Sequence, residues 1–168
     1  MIIIITDTNV FIDLIKAGAL DYFFLLQYDI RTTDLVVEEI ERPEQQSLLE
    51  KFISDGRLAV LELDAGEIFE ALQLQTQTAL NRITDRSVLL KAIHLQCTVL
   101  SGDGALRKEC EQRGLQVHGS IWVIREIWLA GLGDSVQLLA MVDELMNNTR
   151  LPGHELEKLR REINGDDA

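Results

Sequence analysis

Four carboxylates sit where a chain of this pattern could bring them together. Asp7 follows the apolar run Ile2-Ile3-Ile4-Ile5, Asp103 follows Thr98-Val99-Leu100, Asp85 opens a helical pattern and Glu39 lies inside another. Taken singly, each has a plainer explanation. Asp7, Asp85 and Asp103 each precede a predicted helix, where a capping carboxylate contributes about 0.5–2 kcal/mol. Glu39 alone reads as an ordinary exposed helix residue. Convergence changes the reading. Two carboxylates about 5 Å apart at an effective dielectric near 20 repel by about 3 kcal/mol, and something must offset that. An oxygen-preferring divalent cation, Mg²⁺ or Mn²⁺, is one solution; a shared proton with one pKa pushed upward is the other.

The elements that must position these acids follow from residue pattern. Four consecutive β-branched isoleucines read as a strand buried in the middle of a parallel sheet, apolar on both faces. Thr6-Asp7-Thr8-Asn9 favours a helix start, and Val10, Phe11, Leu14 and Ile15 line one face of a helix that Gly18 stops. Residues 19–28 predict a buried helix, 29–32 a strand, and Thr33 or Asp34 the cap of a helix over 35–41, with Val36, Val37 and Ile40 inward. Pro43 suits the first turn of a helix over 43–54 closed by Gly56. A strand over 58–61 and an amphipathic helix over 65–79 follow, with Ile68, Leu72 and Leu74 among its apolar positions. Residues 80–84 connect to the helix opened by Asp85. Then come a strand (97–100), a turn (101–104), a helix (105–113), a short strand (115–117) and helices over 121–130, 136–146 and 155–163. Residues 164–168 are expected to fray.

Strands alternating with helices imply a parallel sheet covered on both faces, a three-layer α/β/α architecture. Strand ends and crossover-helix starts share the carboxyl edge of such a sheet, which is where ligands bind. All four acids can therefore face one cleft. The 168 residues read as residues 1–131 carrying the acid pattern and 132–168 as a helical extension packed on the same domain.

Composition narrows the classes. A net charge of −12 is a poor match for unaided gripping of long nucleic acid, which needs basic surface to release counterions. No apolar run approaches the roughly 18 residues of a membrane span, and no basic leader precedes the first strand. Cys97 and Cys110 lack metal-ligand spacing and read as core thiols in a reducing compartment. The expected location is the cytoplasm, with no membrane partner. His94, His118 and His154 are too scattered for a ligand cluster, and the charged segment 155–161 reads as a solvated helix face.

The ordered set resembles a known family. Asp7 with Asn9 after an opening strand, Glu39 in Val36-Val37-Glu38-Glu39-Ile40, Asp85 opening a helix, and Thr98-Val99-Leu100-Ser101-Gly102-Asp103 together resemble the PIN-domain nucleases, which include the toxin ribonucleases of VapC-type toxin–antitoxin pairs. The likeness covers about residues 2–130, closing with Leu106-Arg107, Gly114-Leu115, Gly119 and the helix around Trp122. It implies a PIN-like fold and a metal-dependent endoribonuclease, with RNA as substrate, an antitoxin as a candidate partner and a homodimer as a candidate assembly. Asp7, Glu39, Asp85 and Asp103 are implied as holders of one or two Mg²⁺ or Mn²⁺ ions. Asn9, Thr8 and Ser101 are implied as supporting polar groups, and Arg82, Arg86, Lys91, Arg107 and Lys108 as a phosphate-steering rim. Glu38 competes with Glu39 for the second acid; Glu39 is preferred because Val36 and Ile40 then fall on the buried side.

Other classes fit less well. A haloacid-dehalogenase-type phosphatase needs an acid where Asn9 stands. A receiver domain needs an acidic pair after the first strand, and no Gly-rich phosphate loop is present. The rival from another class is a PIN-like binding or assembly module with little or no catalysis.

Overall fold

The isoleucine run becomes the central strand of a five-stranded, all-parallel sheet. The computed structural model describes residues 1–148 and 150–166. Strand β1 (Ile2–Thr6) is flanked by β2 (Tyr28–Thr33) and β4 (Thr98–Leu100), with β3 (Ala59–Leu61) and β5 (Val117–His118) at the edges. All four pairings are parallel. Ile4 and Ile5 are fully buried, whereas Ile2, at the strand's start, is 61% exposed, so the run is inaccessible only where its neighbours cover it. From β1 the chain moves outward to β2 and β3, then returns to the other side of β1 for β4 and β5. The direction of winding reverses between β1 and β4. In an open parallel sheet a crevice forms beyond the carboxyl ends of two such strands.

Helices cover both faces and complete the three-layer α/β/α architecture. Helix α1 (Thr8–Lys16) buries Val10, Phe11 and Leu14, and the chain turns at Gly18, whose φ of +68° suits glycine. The helix expected over 19–28 is only α2 (Leu20–Phe23). Beyond it the amides of Leu25 and Leu26 reach carbonyls three residues back, Tyr22 and Phe23, rather than four. This tightening turns the chain into β2 while Phe23, Phe24 and Leu26 stay buried.

Thr33 caps α3 (Asp34–Glu39), accepting the Val36 N–H on its hydroxyl. Helix α4 (Pro43–Ser54) carries proline in its first turn. A reciprocal capping box of Asp64 and Glu67 starts α5 (Ala65–Gln77). Only Ala71 and Leu74 of α5 are buried; Ile68 and Leu72, expected on its inner face, are 42% and 48% exposed beside Phe69. The reason is geometric, since α5 packs mainly on one helix, α6 (Ile83–Leu95). Helix α6 also lies against β1, β2, β4 and α3, and is buried nearly all round over Asp85–Leu90.

Helices α7 (Gly104–Gln112), α8 (Ser120–Leu129), α9 (Ser135–Met146) and α10 (Gly153–Asn164) follow. The last two share the core: Leu138, Met141, Val142, Leu145, Leu156 and Leu159 are all buried, and α9 touches α1, α8 and α10. Of the segment expected to fray, Asn164 ends α10 and Gly165 caps it at φ +77°, while residues 167 and 168 lie outside the described residues. Cys97 and Cys110 are free, buried thiols, each pushed up to about 11 chiefly by burial. No helix among the described residues is long and apolar enough to cross a membrane.

Candidate functional site

Register explains how the acids meet. Thr6 pairs with Leu100 in the β1–β4 ladder, so the next residues, Asp7 and Ser101, stand side by side at the carboxyl edge. The Ser101 hydroxyl donates to Asp7 Oδ2 at 2.8 Å, and the Thr8 amide donates to Oδ1 at 2.8 Å. The same Ser101 oxygen accepts the Asp103 N–H at 3.1 Å. Asp103 caps α7 through the Leu106 N–H. Capping therefore does account for part of what Asp7 and Asp103 do.

Asp85 is different. It is the third residue of α6 rather than its cap, which is Arg82, and among the described residues its carboxylate receives no hydrogen bond. Its helix is fastened by the Thr33–Ser87 hydroxyl pair at 2.8 Å, with Ser87 donating onward to the Thr84 carbonyl. That tie fixes the first turn of α6 over the end of β2. Glu39, the last residue of α3, is half-buried and accepts the Thr8 hydroxyl at 3.2 Å, while Glu38 is exposed. Helical rotation turned Glu39, and not Glu38, toward Thr8.

Asp7, Glu39, Asp85 and Asp103 line one cleft of about 220 Å³ together with Thr8, Asn9, Ile12, Arg82 and Arg150. Arg82 closes one side as an ion pair with Glu39. Asn9 accepts the Gly102 N–H on its amide oxygen at 3.1 Å, tying the α1 start to the loop after β4. The electrostatics are those of crowded like charges. Asp85 is pushed up to about 6 by burial first, then by Asp7 and Asp103, with Arg82 and Arg86 opposing. Asp7, only 3% exposed, is also raised by burial, partly offset by its bonds from Ser101 and Thr8.

The donor set suits a hard divalent cation: carboxylate, hydroxyl and amide oxygens, without thiolate or imidazole. Among the described residues, no three His, Cys, Asp or Glu side chains are yet drawn close enough to hold one ion. The hydrogen bonds show why. Asp7 is held by Thr8 and Ser101, Asp103 by the α7 amide, and Glu39 by Arg82 and Thr8. Each of these carboxylates has lone pairs left over, and Asp85 has all of its own.

The five cations expected at a rim do not stay together. Arg82 alone lines the cleft. Arg107 lies just beyond it, donating to the Ser101 carbonyl at 2.9 Å. Arg86 is 4% exposed and braces the α5–α6 connection through the Leu80 carbonyl at 2.9 Å, so it is a structural ion rather than a steering one. Lys91, six residues on from Asp85 and thus about 9 Å down the helix, pairs with Glu67 of α5 at 2.6 Å. Lys108 is exposed on α7 outside the cleft.

Two residues escaped the sequence reading. Arg150 reaches the cleft from the α9–α10 connection, and no local pattern announces it. Asp13, 4% exposed, accepts from Ser120 Oγ at 2.8 Å and Asn148 Nδ2 at 2.9 Å. Its position three residues after Val10, on the buried side of α1, was a legible signal of a buried acid.

Residues 3–164 match the DUF3368 family model, described as a PIN domain. No curated protein matches the chain. Among solved structures, the chain is similar to one in the crystal structure of VapBC2 from Rickettsia felis bound to a DNA fragment from its promoter. That likeness has 20% identity and a TM-score of 0.47, and covers 70% of this chain and 98% of the other.

Proposed function

We propose, from the premise that this chain belongs to the PIN-domain family, that it is a Mg²⁺- or Mn²⁺-dependent endoribonuclease hydrolysing RNA phosphodiester bonds. The observation that carries the reading is Asp85. The residue is only 8% exposed, its carboxylate opens on the cleft beside Asp7 and Asp103, and it has no hydrogen-bond donor among the described residues, in a cleft whose ligand atoms are oxygens. An arrangement of this kind costs stability unless a cation joins it.

Asp7, Glu39, Asp85 and Asp103 are the residues that would hold the ion. When bound, it supplies charge neutralisation at the phosphate and a more acidic water. The protein's own contribution is preorganisation. Ser101 and the Thr8 amide fix the Asp7 rotamer, and Ser101 also fixes the backbone at Asp103. Thr8 orients Glu39. Asn9 is locked through its amide oxygen, which leaves its NH₂ group as a donor for a phosphate or water. Arg82, 56% exposed, can exchange Glu39 for a substrate phosphate.

The test is cleavage of structured and single-stranded RNA by the wild type and an Asp7→Asn/Asp103→Asn variant, with Mn²⁺ or with chelator. The expected outcome is metal-dependent cleavage lost in the variant. Equal cleavage by both proteins, or none with any metal, refutes the enzymatic reading and leaves the binding-module alternative. The narrower reading, a toxin with a protein antitoxin, rests on the resemblance of the ordered acids to VapC-type ribonucleases. A neighbouring reading frame for a basic DNA-binding protein with a helical tail, co-purifying with this chain, supports it. A homodimer belongs to the same reading and is checked by mass in solution.

A further inference from the structure

Against the chain's net charge of −12, one neighbouring surface stands out. Beside the acid cleft lies a trough of about 570 Å³ walled by Arg107, Arg125, Arg150 and Lys158, with Glu155 as its only acid among the described lining residues. Arg125 is neutralised by an ion pair with Glu162. The other three keep their charge. Arg107 spends one N–H on the neutral Ser101 carbonyl. Arg150 is 66% exposed and touches Asp13 only at 3.7 Å. Lys158 is exposed, with no ion-pair partner among the described residues. Trp122, half-buried, lines the trough with its ring stacked on His118 at 4.4 Å between centroids and Tyr28 tilted beside it at 5.8 Å.

Cleft and trough are neighbours: Arg150 lines both, and Arg107 of the trough donates to the carbonyl of the serine that holds Asp7. Arg150 is placed by the buried Asp13, which binds Ser120 of α8 and Asn148 of the α9–α10 connection. Two of the trough's cations, Arg150, loosely paired with Asp13, and the unpaired Lys158, thus come from the C-terminal helices and their connection.

We infer that this trough binds the phosphates of single-stranded RNA next to the bond being cut. The identity of the ligand rests on the ribonuclease reading. A phosphate chain passing through the cleft must continue along one of its neighbours, and this neighbour carries the cations such a chain uses. An acidic peptide, the competing occupant, would have no need of a place beside the acid cleft.

The test is binding of fluorescein-labelled dodecauridylate to the full-length wild type in chelator, where cleavage plays no part, at several salt concentrations. Lys158→Glu should weaken binding severalfold, and Lys158→Arg should not. In Arg150→Ala/Lys158→Ala the slope of log affinity against log salt should shrink by about 1.4, two single-strand contacts at roughly 0.7 each. The Lys158 variants should leave the melting temperature unchanged, since that side chain is exposed and unpaired among the described residues, and a purely structural role of Arg150 would lower the melting temperature but leave the slope alone. Unchanged affinity and slope in both charge-removing variants, absence of binding by the wild type, or better competition by polyglutamate than by unlabelled dodecauridylate overturns the inference. RNA binding that follows these variants without cleavage under any metal upholds the trough while refuting the ribonuclease reading.

Discussion

Asp85→Asn should make the metal-free protein more stable, and the size of the gain follows from the cleft. The carboxyl of Asp85 is raised from an ordinary value of 3.8 to about 6, first by burial and then by Asp7 and Asp103. A carboxyl whose folded pKa exceeds its unfolded one destabilises the fold once it ionises. The cost is absent below about pH 4, where Asp85 is protonated in both states, grows as pH rises toward 6, and is complete above that. At about 1.4 kcal/mol per pKa unit the full cost would be about 3 kcal/mol. Asp85 is only 8% exposed as a residue, but its carboxylate faces an open cleft, so screening reduces the figure to about 1–2 kcal/mol. For a chain of this size that corresponds to a rise of roughly 2–8 °C in Tm. Thermal melts of both proteins in chelator at pH 4 and pH 8 give the comparison. The variant should gain at pH 8, match the wild type at pH 4, and lose most of the Mn²⁺-induced stabilisation expected of the wild type under the proposed function. A variant less stable than the wild type at pH 8, or a gain that ignores pH, would refute the claim that like charges are held together here.

Ser101→Ala removes one hydrogen bond to the buried Asp7 and one from the Asp103 amide; it should cost about 1–3 kcal/mol in chemical denaturation and lower RNA cleavage without removing metal dependence. Arg82→Ala should lower the metal-free Tm slightly, because its pair with Glu39 is half-exposed and worth under about 1 kcal/mol, yet enlarge the Tm rise on adding Mn²⁺; a smaller rise would show that Arg82 organises the acids instead of competing for them. Lys91→Ala should leave RNA affinity unchanged, since its ammonium is engaged by Glu67 on the α5 side, and oligonucleotide titration checks this. Gln96→Gly should raise Tm, because Gln96 caps α6 in the left-handed region at φ +48°, where a non-glycine residue costs about 1 kcal/mol.

The positions of the acids were legible because they follow from rules local to each segment. An apolar β-branched run followed by Thr6-Asp7-Thr8-Asn9 leaves few options beyond strand, turn and helix, and the structure makes β1 and α1 from it. The rim was not legible. Arg86 and Lys91 share a helix with Asp85, but which way a long side chain turns depends on what packs beside it, here the Leu80 carbonyl and Glu67. Arg150 depended on where α9 and α10 dock, and that is set by buried contacts such as Asp13 with Asn148, 135 residues apart. The over-long helix after Gly18 failed for a related reason. Apolar residues are buried equally well by a tight turn, so hydrophobicity alone did not mark where α2 stops.

The parallel sheet itself forces the electrostatic problem. Because β1 and β4 run side by side in the same direction, the residues that cap the helices after them emerge together, and two of those residues are aspartates. A capping carboxylate is stabilised by one or two amides, which suffices for Asp7 and Asp103 taken alone. It does not suffice for Asp85, which adds a third carboxylate beside the buried Asp7 and the half-buried Asp103 and receives no hydrogen bond among the described residues. In the metal-free protein Arg82 answers part of that charge from the side of Glu39, and it also draws down the pKa of Asp7 and of Asp85. A half-exposed arginine is a weak and displaceable counterion. In the proposed function a divalent cation is the stronger counterion, and it would offset the cost that Arg82 leaves at Asp85.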